Sequence, residues 1–414
     1  MIVCGVICEL NPFHTGHEYL FRMARSLTGA DYVVAVMSGD FVQRGTPAIC
    51  DKYMRTSMAL KGGADLVIEL PVMYATSSAD YFAYAGVSLL DSLGCVDFLC
   101  FGSECGDIEI LKNCAGQGGD YNPGIHILSQ GADSSNSVNI KINKLLKEGM
   151  SYAKAYSTVT NNELASNDLL AIRYLKSLDM RTSKIKPVAV KRLAKDYLDA
   201  GDNSRSASAI RRRIESKEDY AHLVPKYSYK ELEKSRGVTF PICLNDFGPQ
   251  LYSVMDTVLE NEKHGELSLM DYMDVSANIE GRIKGSFNDF TLYEEFVGLV
   301  HSKEYTKSRI YRALLHVLLD IRKEDYPDEL AECEPGYARI LGFREGSGPV
   351  LSMIKESSLI PVISKAGDGE KYLDEEALNS FLKDVHAANV YDKACVFKFG
   401  KSPIHDFSRQ IVIV

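Results

Sequence analysis

The sequence lacks both a long apolar run and a basic leader. Its longest apolar stretches are broken by Asp, Lys or Gly before they reach the ~20 residues that a membrane helix needs. Residues 1–9, MIVCGVICE, are apolar, but they carry no positive charge and are too few for a complete signal peptide. We therefore interpret this segment as a buried first strand and expect a soluble, cytoplasmic protein that is not attached to a membrane.

A CxxC motif is also missing, although the sequence contains ten cysteines. The four that crowd one region, Cys95, Cys100, Cys105 and Cys114, have no His pair of zinc-site spacing near them. Free cysteine commonly behaves as a small buried hydrophobe. We therefore expect reduced thiols and no metal site.

An excess of positive charge is absent as well, because the formal net charge is −9. This value excludes a protein whose whole surface traps nucleic acid, but it leaves a local basic face open. Basic residues are concentrated at Arg211–Arg213 and in the series Lys303, Lys307, Arg309 and Arg312. The length of 414 residues, with 45% hydrophobic and 25% charged residues, is typical of a globular chain of two or three domains.

The first hundred residues alternate strand-like and helix-like patterns. Each strand-like segment is a continuous apolar run, as expected for a parallel sheet buried on both faces. We predict strands at Val3–Glu9, Tyr32–Met37, Asp65–Leu70 and Val96–Phe101, and helices at Gly16–Arg25, Lys52–Leu60 and Tyr81–Leu90. The fold class is therefore α/β, with a Rossmann-like parallel sheet.

The remaining sequence changes character twice. Residues 115–137 are rich in Gly, Ser, Asn and Asp and predict an irregular excursion. Further elements are predicted as helices at Ile140–Tyr156 and Leu169–Ser177, a strand at Pro187–Leu193, a helix opening near Ser206 and a mainly helical stretch over residues 228–325 that includes Ser308–Ile321. The tail carries the short strand signals LIPVIS, CVFKF and QIVIV. We predict an α/β domain over residues 1–216, a mainly helical domain over 217–330 and a small α/β region over 331–414.

The segment NPFHTGH, residues 11–17, joins the first predicted strand to the first predicted helix. Open α/β sheets bind ligands at such junctions, and a helix N-terminus offers unpaired N–H groups to a phosphate. Gly16 would let the backbone approach a phosphate, and His14 and His17 share a helix face because they are three residues apart. Fixed imidazole donors suit transfer at the α-phosphorus of ATP. The alternative is a helix-capping turn with two ordinary surface histidines.

The segment SASAIR, residues 206–211, lies at a loop-to-helix transition late in the same domain. Ser206 and Ser208 could donate hydrogen bonds to phosphate oxygens, and Arg211 could neutralise the β- or γ-phosphate charge. Alone, the segment is better explained as a serine cap followed by a solvated basic helix. Together with HTGH it indicates nucleotidyl chemistry.

This motif pair resembles the signature of the HIGH-motif nucleotidyltransferase superfamily, since HTGH is similar to its (H/T)xGH box and SASAIR to its SSTxIR box. Ala207 stands where the superfamily usually has Ser, which leaves one hydroxyl fewer. The runs GVICELNPFHTGHEYL, MSGDFVQRGTPAICDK, GADLVIELP, FGSE, PVAVKRL and SASAIR more narrowly resemble the bacterial tRNA(Met) cytidine acetate ligase family. The resemblance covers most of the chain.

The resemblance implies a ligase that uses ATP as co-substrate. Acetate would form acetyl-adenylate and pyrophosphate, and the acetyl group would pass to N4 of the wobble cytidine of elongator tRNA(Met). It implies His14 and His17 as catalytic residues and an ATP site formed by Ile7, Cys8, Glu9, Leu10, Asn11, Pro12, Phe13, His14, Thr15, Gly16, His17, Glu18, Tyr19, Leu20, Gly102, Asn167 and Arg192, with Ser206, Ser208 and Arg211 from SASAIR. Asn167 is alternatively a helix cap.

Basic and polar residues elsewhere are candidates for contacts with the acid or with tRNA: Gln43, Arg44, Lys52 and Arg55 on a predicted loop, and Lys303, Lys307, Arg309 and Arg312 in the helical region. Each is alternatively a solvated side chain. The competing functions are a small-molecule adenylyltransferase, acting on pantetheine phosphate or nicotinate mononucleotide, and a nucleotide-sensing RNA-binding protein with little turnover. The sequence leaves the need for Mg²⁺ and the oligomeric state open, and no stable protein partner is evident.

Overall fold

The computed structural model describes residues 1–117, 141, 144–145, 147–150, 152–160, 164–192 and 206–414. Three predicted features lie wholly or partly outside these residues: the excursion at 115–137 from residue 118 onward, much of the helix predicted at Ile140–Tyr156, and Leu193 at the end of a predicted strand.

A mostly parallel sheet forms the centre of the fold. Its strands are β1 (Val3–Cys8), β2 (Tyr32–Ser38), β5 (Leu66–Leu70), β6 (Phe98–Ser103), β7 (Lys186–Lys191), β8 (Ala338–Phe343), β9 (Val362–Ile363) and β10 (Val412–Ile413), and a separate hairpin pairs β3 (Phe41–Val42) with β4 (Thr46–Pro47). The order across the sheet is β10-β8-β5-β2-β1-β6-β7, with β9 beside β8. Only β8 and β5 pair antiparallel within the described sheet. The predicted α/β fold with a parallel sheet is confirmed.

Helices cover both faces of this sheet and fill the segment between β7 and β8. They are α1 (Thr15–Thr28), α2 (Lys52–Lys61), α3 (Val72–Ala75), α4 (Ala79–Ser92), α5 (Ile108–Gln117), α6 (Tyr152–Thr160), α7 (Ser166–Met180), α8 (Ala207–Glu215), α9 (Lys226–Lys234), α10 (Gly248–Lys263), α11 (Ala277–Ser286), α12 (Tyr293–Val300), α13 (Lys307–Leu319), α14 (Gly348–Ser357), α15 (Gly369–Tyr372) and α16 (Glu375–Phe399). The predicted mainly helical character of residues 228–325 is confirmed. None of the described helices combines the length and apolar character needed to cross a bilayer.

Alternation along the strands creates two apolar cores. Val34 and Val36 of β2 enter one core with Leu66 and Ile68 of β5, while Val33 and other residues of β2 enter the opposite core. Helices α1 and α8 both bury side chains in the second core, through residues such as Phe21 and Ile210. The two helices, which begin within the HTGH and SASAIR segments, therefore pack into the same core.

The end of helix α16 contains CVFKF, which we expected to be a strand, and that prediction is wrong. Asp374 caps the helix by accepting a hydrogen bond from the Ala377 N–H at 2.9 Å, and Gly400 ends it in the left-handed conformation. The helix buries Ala394 and Cys395 in its last turns. A short apolar run does not distinguish a strand from a buried helix.

The C-terminal strands extend the central sheet. β8 pairs with β5 of the N-terminal segment, and β10 pairs with β8. The tail therefore has the expected α/β character, but its described strands form no sheet separate from the central one. The boundaries near residues 216 and 330 stay predictions.

Candidate functional site

The candidate site lies at the carboxyl ends of β1 and β6. From β1 the chain passes through α1 to β2 on one side of the sheet, while β6 and β7 lie on the other. Strand order thus reverses between β1 and β6, and open α/β sheets bind ligands in the crevice at such a point. The loop from Glu9 to His14 leaves β1 at this crevice.

His14 and His17 form a fixed pair at the start of α1. His14 is the N-cap, and its Nδ1 accepts a hydrogen bond from the Gly16 N–H at 3.0 Å. The His17 Nδ1 accepts from the His14 N–H at 3.3 Å, and the two rings stack with centroids 3.8 Å apart. Because each Nδ1 accepts, the hydrogen-bond pattern assigns the ring proton to Nε2 in both residues. The capping role and the paired-donor role expected from the sequence are therefore compatible.

Burial keeps both imidazoles neutral. It lowers the pKa of His14 to about 3, and the nearby guanidinium groups of Arg192 and Arg211 add to this effect. Burial also lowers the pKa of His17 well below its ordinary value, with further contributions from His14 and Arg192. At neutral pH the pair thus offers two uncharged N–H donors beside two cations. We call His14, His17, Arg192 and Arg211 the histidine site.

Gly16 is required by the imidazole packed against it. A Cβ at this position would lie 2.8 Å from the His14 ring carbon Cε1, closer than van der Waals contact allows. A larger residue would displace the ring whose Nδ1 caps the helix. Glycine is therefore required here by the His14 ring, in addition to the approach of a phosphate that the sequence predicted.

The loop before the histidines is held by contacts to its backbone. Asn11 accepts from the Ile49 N–H at 2.8 Å through its side-chain oxygen, and its main-chain carbonyl accepts from the Arg211 Nη1 at 2.6 Å. Arg55 donates to the Glu9 carbonyl at 2.8 Å. Four predicted site residues direct their side chains into the cores: Ile7, Cys8, Leu10 and Phe13. Those four residues can offer a ligand little beyond their backbone.

The rest of the predicted segment 7–20 lies in or next to α1. Glu18 accepts a hydrogen bond from the Tyr227 hydroxyl at 3.0 Å, and the Tyr19 ring lies under the Arg22 guanidinium at 5.5 Å. Thr15 is exposed, and Leu20 packs partly against the second core.

Arg211 connects the two sequence motifs. Its side chain crosses from α8 to the Asn11 carbonyl, 200 residues away in sequence, and its Nη2 also donates to the Ser208 hydroxyl at 3.2 Å. Ser206 is the N-cap of α8 and accepts from the Ala209 N–H at 3.2 Å. The structure therefore brings SASAIR against NPFHTGH, with Ser206 in the capping role that the sequence left as an alternative.

Gly102, Asn167 and Arg192 meet around a residue that sequence reasoning missed. The Glu104 Oε1 accepts from the Asn167 Nδ2 at 2.5 Å and lies 3.7 Å from the Arg192 Nε. Gly102 lies beside Arg192, and a Cβ on it would be 3.5 Å from the Arg192 Cγ. An acidic residue directly after a strand, within the FGSE run, was the signal for Glu104.

Asn167 does not cap α7, so the capping alternative is wrong. The N-cap is Ala165, and Asp168 supplies the carboxylate by accepting from the Ala165 N–H at 3.1 Å. Asp168 also accepts from the Ser103 hydroxyl at 2.5 Å, which ties α7 to the end of β6. The Asn167 amide is therefore directed to Glu104 at the crevice.

Two of the basic residues predicted to face the crevice are buried in the protein. Lys52 and Arg55 lie in α2, which agrees with the helix predicted at Lys52–Leu60 and not with their predicted position on a loop, and their side chains are 1% and 0% exposed. Lys52 pairs with Glu69 at 2.8 Å, and Arg55 donates to backbone carbonyls, including that of Ser38 at 2.9 Å. They are structural residues here, because their charges and donors are already satisfied.

Arg312 is likewise not available to a ligand. It is buried and donates to both Asp274 carboxylate oxygens, at 2.8 and 3.3 Å. Lys303 and Lys307 are exposed, and Arg309 lies 4.9 Å from the centre of the Tyr305 ring. Near the crevice, the Gln43 side chain donates to the Ser77 carbonyl at 3.2 Å and Arg44 is exposed.

Within the described ranges, no group of three or more His, Cys, Asp or Glu side chains is arranged to hold a metal ion. The histidine site therefore combines neutral N–H donors, two guanidinium groups and a helix N-terminus. Such an arrangement suits the oxygens of a phosphate chain.

Residues 1–402 match the model of the HIGH Nucleotidyl Transferase family. Similar curated proteins include the tRNA(Met) cytidine acetate ligase of Thermoanaerobacter sp. (strain X514), 39% identical over 95% of this chain and 96% of the relative. The protein of the same name from Clostridium perfringens (strain ATCC 13124) is 35% identical over 94% of this chain and 95% of the relative.

Solved structures agree with these matches over the whole chain. The crystal structure of Thermotoga maritima TmcAL bound with alpha-thio ATP superposes with a TM-score of 0.83 at 30% identity and covers 100% of both chains. The apo structure of that protein gives the same values. This chain belongs to the HIGH nucleotidyl transferase family and, within it, to the tRNA(Met) cytidine acetate ligases.

Proposed function

We propose that this chain is an ATP-dependent ligase that acetylates N4 of the wobble cytidine of elongator tRNA(Met) in the cytoplasm. An acetate oxygen attacks the α-phosphorus of ATP, the bond to the β-phosphate breaks, and pyrophosphate leaves. The cytidine amine then attacks the carbonyl carbon of acetyl-adenylate. AMP leaves, the amine loses a proton, and N4-acetylcytidine remains.

The observation that carries the proposal is the pair of neutral imidazoles at the N-terminus of α1. With each Nδ1 engaged by a backbone N–H, both Nε2–H groups are fixed donors that need no reorganisation when charge develops on phosphate oxygens. Arg192 and Arg211 add positive charge that can stabilise the leaving pyrophosphate. No covalent enzyme intermediate is required.

The remaining contacts divide between the two substrates. Gly102 and Asn167 lie where they can meet the base or ribose of ATP, and Glu104 positions Asn167 and Arg192. Ser208 holds Arg211, and Ser206 holds the helix that carries it. We assign Gln43 and Arg44 to the acceptor, and we assign the contacts with tRNA phosphates to Lys303, Lys307 and Arg309, the basic residues of the helical segment.

The test is the complete reaction. The purified chain is given ATP, acetate and a tRNA(Met) transcript, and the nuclease digest is analysed by mass spectrometry for N4-acetylcytidine. We expect acetate-dependent N4-acetylcytidine with stoichiometric AMP and pyrophosphate. A matched transcript with uridine at the wobble position lacks the N4 amine and should give none.

If the digest contained no acetylated nucleoside while AMP was transferred to a small metabolite, the chain would be a small-molecule adenylyltransferase. That alternative uses the same two motifs but leaves the length beyond the first domain without a role. The full-length similarity to relatives named as tRNA(Met) cytidine acetate ligases favours the ligase.

A further inference from the structure

A wide cleft of about 1150 Å³ opens beside the histidine site. It is bounded by the β3–β4 hairpin, α8, the segment around α9, and the facing surface of α12 and α13. Its volume exceeds the range of about 300–1,000 Å³ that is usual for a single small-molecule ligand. Acetate, with four heavy atoms, cannot be its occupant.

Arg211 belongs to both the cleft and the histidine site. It lines the cleft and at the same time donates to the Asn11 carbonyl of the loop before His14. A molecule in the cleft therefore lies one side chain away from the groups that would hold the adenylate. This continuity distinguishes the cleft from two other concavities, one at the far edge of the sheet and one beside α16.

Two arginines, Arg44 and Arg211, lie at the wall that the cleft shares with the histidine site. Arg44 is exposed and forms no ion pair within the part of the chain that the structure describes. Burial lowers the pKa of Arg211, and the charge of Arg44 lowers it further against the opposing effect of Glu9. The two guanidinium groups are thus neighbours, and among the described residues only Arg211 is hydrogen-bonded to other protein atoms.

The rest of the cleft lining carries no excess of positive charge. Arg236 pairs with Glu233 at 2.7 Å, and Lys398 pairs with Asp246 at 2.7 Å. Glu215, which lies on the same helix as Arg211, also lines the cleft, as do Glu218 and Asp219. A long polyanion running through the cleft would meet these carboxylates, whereas one or two phosphates beside Arg44 would not.

Aromatic rings form part of the body of the cleft. Tyr229, Tyr311 and Phe399 line it and are only partly buried, so ring surface faces the space. The tip of the hairpin holds the wall with Tyr311 in place, because Gly45, at a φ of +76°, packs on the backbone at Tyr311 and Arg312. Ring faces beside a small number of cations are the features with which proteins bind single-stranded nucleic acid.

We propose that this cleft binds the single-stranded nucleotides that flank the acceptor cytidine in the anticodon loop of the tRNA. Arg44 holds the phosphate nearest the cytidine, Arg211 marks the boundary with the histidine site, and unstacked bases rest on Tyr311 and its neighbouring rings. This inference rests on the proposed function, and it assigns the tRNA substrate of that reaction to the cleft. The predicted contact at Arg44 belongs to this cleft, whereas Lys303 and Lys307 lie outside its lining.

The test separates the two half-reactions and measures RNA binding directly. Acetyl-adenylate is trapped with hydroxylamine in the absence of tRNA, the KM for tRNA is measured in the full reaction, and an anticodon stem–loop RNA is titrated by fluorescence anisotropy. The variants are Arg44→Gln, Tyr311→Ala and the ring-preserving Tyr311→Phe. Lys393→Gln removes an exposed cation of α16 outside the cleft and serves as the matched control.

We expect Arg44→Gln and Tyr311→Ala each to weaken stem–loop binding and raise the KM for tRNA at least about fivefold, with trapped acetyl-adenylate unchanged within about twofold. Tyr311→Phe and Lys393→Gln should behave as the parent. In a salt titration, Arg44→Gln should reduce the slope of log Kd against log salt by about 0.7, the value for one phosphate contact on a single strand.

Two results would overturn the inference. In the first, Arg44→Gln raises the KM for ATP or reduces the trapped adenylate while stem–loop binding stays unchanged, so that the arginine wall serves ATP. In the second, ultraviolet cross-linking of the stem–loop attaches RNA only to peptides outside the cleft. If RNA binds and cross-links in the cleft but no N4-acetylcytidine forms, the cleft assignment stands and the proposed reaction fails.

Discussion

Two groups of polar side chains lie near the carboxyl ends of the central strands, and they differ in how their charges are balanced. The histidine site contains two guanidinium groups and two neutral imidazoles. Glu104 contacts Arg192, and burial lowers the pKa of Arg211 against the opposing charges of nearby Glu9 and Glu215. In the second group, Lys52 and Arg339 face Glu69 and Asp406, with Lys52 Nζ 2.8 Å from Glu69 and Arg339 Nη1 2.9 Å from Asp406. We call these last four residues the charge cluster.

The two groups differ in function: the charges of the charge cluster stabilise the fold, and those of the histidine site are available to a ligand. The side chains of the charge cluster are 1–3% exposed, and each cation has carboxylate partners within the protein. Among the residues that the structure describes, the histidine site offers more hydrogen-bond donors than acceptors, as expected of a site that binds a phosphate chain. The sequence predicted that Lys52 and the histidine site face the same crevice. The number of carboxylate partners within the protein distinguishes them.

Breaking the charge cluster should have the largest effect, and on stability. Lys52→Met leaves Glu69 and Asp406 to share Arg339 in a dry interior, so we expect the free energy of unfolding to fall by about 3–5 kcal/mol. Urea unfolding followed by circular dichroism measures this loss. The control is Lys61→Gln on the same helix, whose pair with Glu231 is partly exposed and should cost less than about 1 kcal/mol. An unaltered unfolding curve with lost tRNA acetylation would instead make Lys52 a substrate contact.

Breaking the histidine site should affect catalysis more than stability. For His14→Ala or His17→Ala we expect acetyl-adenylate formation to fall about 100–1,000-fold, the usual cost of one fixed donor at a developing charge. Loss of the cap in His14→Ala should reduce stability by only about 1 kcal/mol. Hydroxylamine trapping measures the first effect and urea unfolding the second.

The asparagine variant sharpens this comparison because it separates capping from donation. His14→Asn keeps an acceptor for the Gly16 N–H but loses the Nε2–H, so stability should return while trapping stays low. His222→Ala, an exposed histidine away from the site, should leave both measurements unchanged. Normal acetate-dependent turnover in His14→Ala with a normal unfolding curve would remove His14 from the mechanism.

A smaller effect should appear as a pH dependence of stability. The pKa of His14 is about 3 in the folded protein, against about 6.5 in an unfolded chain. Below pH 6.5 the unfolded state therefore binds a proton that the folded state does not, and stability falls as the pH is lowered towards 3. At about pH 5 the loss from this group is about 2 kcal/mol relative to neutral pH.

The measurement compares unfolding free energies at about pH 7.5 and 5 in the parent and in His14→Asn. Burial raises the pKa of Asp40 to about 6 and that of Asp384 to about 7, which favours the folded state on acidification, but both groups are present in both proteins. The difference between the two proteins isolates His14. Equal losses in both would show that the imidazole is not held neutral by the fold.

The sequence was sufficient to predict features that depend on local pattern. The continuous apolar runs of β1, β2 and β5 identified buried parallel strands, and the strand–turn–helix around HTGH identified the crevice. The approach of SASAIR to HTGH followed from a motif pair, and Arg211 makes that contact at 2.6 Å. Family resemblance supplied the positions of Gly102, Asn167 and Arg192, which lie together in the structure.

Features that depend on distant partners could not be predicted. Lys52 and Arg55 fall at the start of a predicted helix beside a polar loop, and nothing local indicates that Glu69 and Asp406 enclose the lysine. The local sequence likewise assigns Arg312 to a basic helix face, and only the folded structure shows its ion pair with Asp274. Local preference alone would make Asn167 the helix cap. In the structure Asp168 supplies the capping carboxylate, and the Asn167 amide donates to Glu104 instead.

The charge cluster also has a consequence for biosynthesis. Lys52 and Asp406 are separated by 354 residues, and Arg339 also lies far beyond the N-terminal segment. N-terminal domains usually fold first while a chain is being synthesised. Here, the Lys52 ammonium group has only Glu69 of its two carboxylate partners until Asp406 has left the ribosome. The buried charges beside α2 are therefore fully paired only after residue 406 has been synthesised.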